Sequence, residues 1–118
     1  MIAAFSLQPT GEPSDPALLR ELAQGADSAS VHDAVAAAVR IVRDSGLPNR
    51  TSAMFTEIEG EWEEVMDVVR RATAEAGRYG SRVSLVLKAD IRPGHSGELD
   101  AKVERMEAAI DAGAEPQQ

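Results

Sequence analysis

The chain has 118 residues, enough for one domain with a single modest core, and its 20 acidic and 12 basic side chains leave a net charge of −8. That balance disfavours nucleic acid and anionic membrane surfaces, which need a basic patch, but not a cationic small ligand. With no cysteine in the sequence, a disulfide framework, a thiolate zinc site and a cysteine nucleophile are all excluded.

Residues 2–8 form an uncharged run, Ile-Ala-Ala-Phe-Ser-Leu-Gln, closed by Pro9-Thr10-Gly11. The run is short for a helix and fits a buried strand, and a strand so near the start is expected to lie centrally. The same stretch lacks the positive n-region of a secretory signal. The longest purely apolar run, Ala34 to Val39, is far too short to cross a bilayer. The expectation is a soluble, cytoplasmic protein without a membrane or nucleic-acid partner.

Residues 12–29 admit two readings. Pro13, Pro16 and Gly25 punctuate them, yet Ser14-Asp15-Pro16 ahead of Leu18, Leu19 and Leu22 has the form of a short capped helix; the other reading is a mobile loop. Ser30 opens a clearer helix, with Asp33 in the capping-box position and Val31, Val35, Ala38, Val39 and Val42 on one face. Gly46 and Pro48 end it.

Asn49 to Glu59 has room for one bent strand or two short ones. At Gly60 the period changes from two to helical: Trp62, Val65, Met66 and Val69 share one side, Glu61, Glu63, Glu64 and Asp67 the other. This helix is expected over 61–76. Residues 82–92 are the best strand, with Val83, Leu85, Leu87, Ala89 and Ile91 facing the helices and Lys88, Asp90 and Arg92 aligned on the other face. A turn at 93–97 leads to a last helix, about 98–112, whose stripe of Leu99, Val103, Met106 and Ile110 has the spacing of a packing seam. That helix can close over its own domain or dock on another subunit, and 113–118 should fray.

Right-handed crossovers turn this order into an α/β (α+β) ferredoxin-like βαββαβ sandwich with an additional C-terminal helix. The pattern requires two strands within 49–59. It also leaves one sheet face uncovered, available for a ligand or another subunit.

No motif for a phosphate cradle, a zincin or a serine-hydrolase elbow is present. His32 falls in a first helical turn, where the dipole disfavours the imidazolium, and His95 in a Gly-rich turn. Glu59 and Asp90 are the carboxylates that acid/base chemistry would use if they met.

Thr56-Glu57-Ile58-Glu59-Gly60-Glu61 resembles the T-x-[IV]-E-G-E signature of the MTH1187/YkoF-like thiamine-binding proteins, a family of the UPF0045/DUF77 type. Pro9-Thr10-Gly11, Ser30-Val31, Ser45-Gly46-Leu47, Arg82-Val83, the K-x-D-x-R of Lys88-Ala89-Asp90-Ile91-Arg92, and Lys102-Val103 extend the resemblance in order over 2–11 and 30–107. It implies a single ferredoxin-like domain over 1–118, with 12–29 as an insertion. It further implies a homo-oligomer, dimer or tetramer, built through the sheet. The implied function is non-catalytic binding of thiamine or its hydroxymethylpyrimidine moiety, with no cofactor and no metal. The implied ligand-binding residues are Ser30, His32, Phe55, Thr56, Glu59 and Asp90, with Lys88 and Arg92 orienting the carboxylates. Two positions depart from the family pattern: His32 replaces a serine, and Phe55 stands where glycine is common. Phe55 can stack on a ring or fill the pocket. The alternative function is an oligomeric interaction or regulatory module whose small-molecule site has degenerated.

Overall fold

The computed structural model describes residues 1–23 and 31–113, the side chains of Leu22, Val31 and His32 excepted. The elements are β1 (Ile2–Thr10), α1 (Pro16–Ala23), α2 (Val31–Asp44), β2 (Asn49–Thr51), β3 (Thr56–Glu59), α3 (Trp62–Ala76), β4 (Arg82–Asp90) and α4 (Glu98–Gly113). The strands form one sheet in the order β2-β3-β1-β4, every pair antiparallel. With α2 and α3 as the two crossovers, this is the ferredoxin-like arrangement, and β1 is central as expected.

Asn49 to Glu59 divides into two strands because Ser52 closes a turn between them. Its hydroxyl accepts from the Met54 and Phe55 amides, and its own amide donates to the Phe55 carbonyl at 2.9 Å. Alternation then sets the faces. Ala3, Phe5 and Ile58 point at the helices and are buried against Val42, Val65, Val68, Val69 and Ala72. Burial of side chains such as Ile58, Val42 and Val65 stabilises by about 1.5–3 kcal/mol each, which makes this cluster the main driving force of the fold.

Residues 16–23 are a helix. The Asp15 carboxylate accepts from the Ala17 amide at 2.8 Å, and Asp15 pairs with Arg78 at 2.6 Å, tying the start of α1 to the end of α3. Residues 24–29 of the expected insertion, the Ser30 cap and residues 114–118 lie outside the described residues. In α3 the Glu61 amide donates to the Glu64 carboxylate at 3.2 Å, a reciprocal cap. Trp62, expected on the buried stripe, is instead half exposed, and Val68 takes its place in the core. At Gly80 the chain passes close against the end of β1, where a Cβ would lie 2.6 Å from the Thr10 carbonyl oxygen.

Two further expectations are corrected. The buried face of α2 is Ala34, Ala37, Ala38 and Val42; Val35 is 39% exposed and stands, with Val39, at the edge of the contact. The sheet face away from α2 and α3 is not bare. The first turns of α4 lie over it, with Leu99, Lys102 and Val103 facing Ile2, Ala4, Glu57, Lys88 and Asp90. Only the start of the α4 stripe is used. Leu99 is buried, whereas Met106 and Ile110 are 55% and 59% exposed.

Candidate functional site

The strands that meet at the centre differ in length, and this difference makes a cleft. β1 pairs with β4 along all nine of its residues, from Ile2↔Asp90 to Thr10↔Arg82. On its other side it pairs with β3 only from Ile2 to Phe5, because β3 starts at Thr56. Past Phe5 the β1 edge that faces away from β4 has no strand beside it. The 52–55 turn and α2 wall in this open edge, enclosing a cleft of about 250 Å³.

Phe5, Leu7, Val35, Ala38, Val39, Met54 and Phe55 give the cleft an apolar lining, and Ser6, Gln8, Thr51, Ser52 and Thr56 add neutral polar groups. No charged side chain lines it among the described residues. Thr56 is only 7% exposed. Its hydroxyl has no partner among the described residues, yet no side-chain polar atom there is both fully buried and unpartnered. The Thr56 hydroxyl therefore keeps its remaining exposure, with hydrogen-bonding capacity to spare. Phe55 forms part of the wall and leaves the cleft open, so it does not fill the space that a glycine would have left.

Of the six residues implied by the resemblance, the structure brings Phe55 and Thr56 together in this cleft. Ser30 and the His32 side chain lie outside the described residues. Glu59 and Asp90 are on the opposite face of the sheet, on either side of Ile2, with which both are in register. Two strand spacings, about 10 Å, separate their backbones, too far for a shared-proton pair.

Both carboxylates are engaged with α4. Glu59, 6% exposed, accepts from the Glu98 amide at 2.7 Å and from the Leu99 amide at 3.4 Å. These are orphan donors of a helix start, and the residue before them, Gly97, has no side chain to cap them. Asp90 accepts a hydrogen bond from Lys102, which holds its carboxyl below the usual carboxylate range. Glu98 is buried beside Arg105 at 2.7 Å and Arg92 at 3.8 Å, with the His95 imidazole at 3.5 Å. The Arg105 hydrogen bond is the chief reason its carboxyl is also held low. This face carries the charge: Asp90 and Glu98 are ion-paired and Glu59 caps α4, while Glu57 and Lys88 make no ion pair among the described residues.

A family model described as "Thiamine-binding protein" matches residues 20–107. The chain belongs to that family. Two relatives, UPF0045 protein Mb1933 of Mycobacterium bovis and UPF0045 protein MT1949 of Mycobacterium tuberculosis, are each 51% identical over 78 residues, covering 65% of this chain and 76% of theirs. Among solved structures, a DUF77 domain from Bacillus cereus superposes with a TM-score of 0.69 at 27% identity, over 88% of this chain and 86% of that one. A Thermotoga maritima protein, named for a proposed role in thiamine biosynthesis or salvage, shares the fold at a TM-score of 0.57 and 20% identity, over 89% of this chain and 100% of its own.

Sequence reasoning reached Phe55 and Thr56 but missed Ser6, Gln8, Val35 and Val39. The available signal was length: a nine-residue first strand beside an 11-residue segment that must hold two strands and a turn leaves part of one edge unpaired.

Proposed function

We propose that this thiamine-binding family member binds thiamine or its hydroxymethylpyrimidine moiety in the cleft beside β1, without catalysing a reaction on it. The observation that carries the reading is the open strand edge at Ser6–Gln8 next to the nearly buried, unpartnered Thr56 hydroxyl. An aminopyrimidine presents donors and acceptors along its ring edge, and a free strand edge offers the complementary backbone groups. Phe5 and Phe55 supply apolar surface for the ring faces. The family match and the name of the Thermotoga maritima relative support the same ligand class. Glu59 and Asp90 serve this reading indirectly, by fastening α4.

Isothermal titration calorimetry with thiamine, and separately with hydroxymethylpyrimidine, tests it. Saturable binding near one ligand per chain is expected. Heats no larger than dilution for both, from folded protein, would remove the reading in favour of an interaction module with a degenerated site. Turnover of either ligand would remove its non-catalytic half.

The working unit in this reading is a cytoplasmic homo-oligomer. β4 is a nine-residue edge strand with Leu85 and Val86 both about half exposed, and a long apolar edge calls for a partner. A second copy pairing there, with exposed α4 residues adding contacts, gives a dimer or tetramer. Light scattering at micromolar concentration tests this, and a monomer mass would refute it. Among the described residues no helix is long and apolar enough to cross a membrane.

A further inference from the structure

Among the described residues no charged side chain lines the cleft, so recognition of a charged ligand tail falls to its surroundings. Val35 and Val39 of α2 line the cleft on one side, and on the other they border a shallow groove that also takes in Ala36, Arg40, Arg43 and Asp44. In a chain of net charge −8, these two arginines are one helical turn apart on the same side of α2. Neither is in an ion pair or side-chain hydrogen bond among the described residues. Among the described residues two arginines and one acidic side chain, Asp44, line this groove, and Arg40 also borders Asp33 on the side away from the cleft.

Arg43 has a local role as well, since a cation in the last turn complements the dipole of α2. Arg40 lies a turn earlier, where that effect has faded. Guanidinium groups suit phosphate oxygens, which they bind in a bidentate fork. A ligand whose ring occupies the neutral cleft, and whose tail leaves it past Val35 and Val39, brings an attached phosphate to this groove.

We infer that the groove formed by Arg40 and Arg43 is a phosphate subsite, so that the protein prefers phosphorylated esters of its pyrimidine ligand over the free alcohols. This rests on the reading of the cleft as a pyrimidine site.

Calorimetric titrations of the full chain with hydroxymethylpyrimidine, thiamine and the monophosphate ester of each separate the two. At low ionic strength each ester should bind about five-fold tighter than its alcohol, the size expected for two solvent-exposed charge contacts. The preference should shrink toward unity at 1 M salt, where screening is nearly complete. The double substitution Arg40→Gln with Arg43→Gln should abolish it while leaving the affinity for both alcohols within two-fold. Alcohols that bind with no gain for either ester would overturn the subsite and leave the pyrimidine site standing. So would an ester preference that survives the double substitution. No binding of any of the four would overturn both.

Discussion

On the face of the sheet covered by α2 and α3, and among the described residues, the Thr56 hydroxyl is unpartnered, the β1 edge past Phe5 is open, and neutral residues line the cleft between them. On the other face Glu59, Asp90 and Glu98 are each held by a donor, and all of those bonds involve α4. Adjacent residues on one strand thus have opposite fates. The pleat sends Thr56 and Ile58 one way and Glu57 and Glu59 the other. The difference teaches that the Thr-Glu-Ile-Glu signature is two devices interleaved. Its even-numbered half serves the cleft and the core; Glu59, in its odd-numbered half, fastens a helix.

Substitution of Glu59 is the largest test of this division. Glu59→Ala should destabilise the protein by about 2 kcal/mol, since it leaves two amides of α4 without their acceptor near the core. Urea denaturation measures that loss, and ligand affinity should stay within two-fold. Glu59→Gln, which keeps one acceptor oxygen, should cost less. A Glu59→Ala protein of full stability that no longer binds ligand would break the comparison and make Glu59 a ligand contact.

Phe55 and Thr56 sharpen it from the other side. Phe55→Ala removes an aromatic wall at a partly exposed position and should weaken ligand binding about ten-fold, with little change in the denaturation midpoint. Thr56→Val keeps the shape and deletes the hydroxyl; a loss of about five-fold is expected from one hydrogen bond. Its stability should hold or rise slightly, because the hydroxyl has no partner among the described residues. Calorimetry on both variants checks the order. Unchanged affinity in both would move the ligand out of this cleft.

The architecture was legible in the sequence because period and punctuation agreed: the alternation of 82–92, the change of period at Gly60 and the helix stop at Gly46 each point to one answer. Positions where an element meets a neighbour off-axis were less legible. Periodicity puts Val35 on the same stripe as Val42, but the contact of α2 with the core is rotated toward Ala34 and Ala37, where small side chains allow close approach. Trp62 fits the apolar stripe of α3, yet it begins the helix, beyond the sheet that buries Val65 and Val69. For the site, the resemblance supplied residue types and the pleat supplied their directions. Neither shows that α4 folds back to occupy Glu59 and Asp90, because that depends on contacts 39 and 12 residues apart in the chain.

The smallest expected effect concerns acid. Arg105 chiefly holds the Glu98 carboxyl below its ordinary value, with Arg92 and His95 adding to the field, and Lys102 does the same for Asp90. A carboxyl lowered in the folded state binds its proton more readily when unfolded, so its stabilising contribution is complete above the ordinary carboxylate pKa. It is then lost as pH falls through the lowered folded value. Asp15 and Asp67 are lowered in the same direction by Arg78 and Arg70, so overall acid sensitivity does not isolate the fastening of α4. A difference measurement does. Glu98→Gln should be less stable than the parent at neutral pH, and the gap in urea midpoint should close between about pH 4 and the acid limit of the fold. Faster amide exchange confined to α4 would accompany the substitution at neutral pH. A gap that stays constant with pH would mean that the Glu98 pairs contribute nothing through their charge. The Glu59 cap and the burial of Leu99 would then carry the attachment of α4.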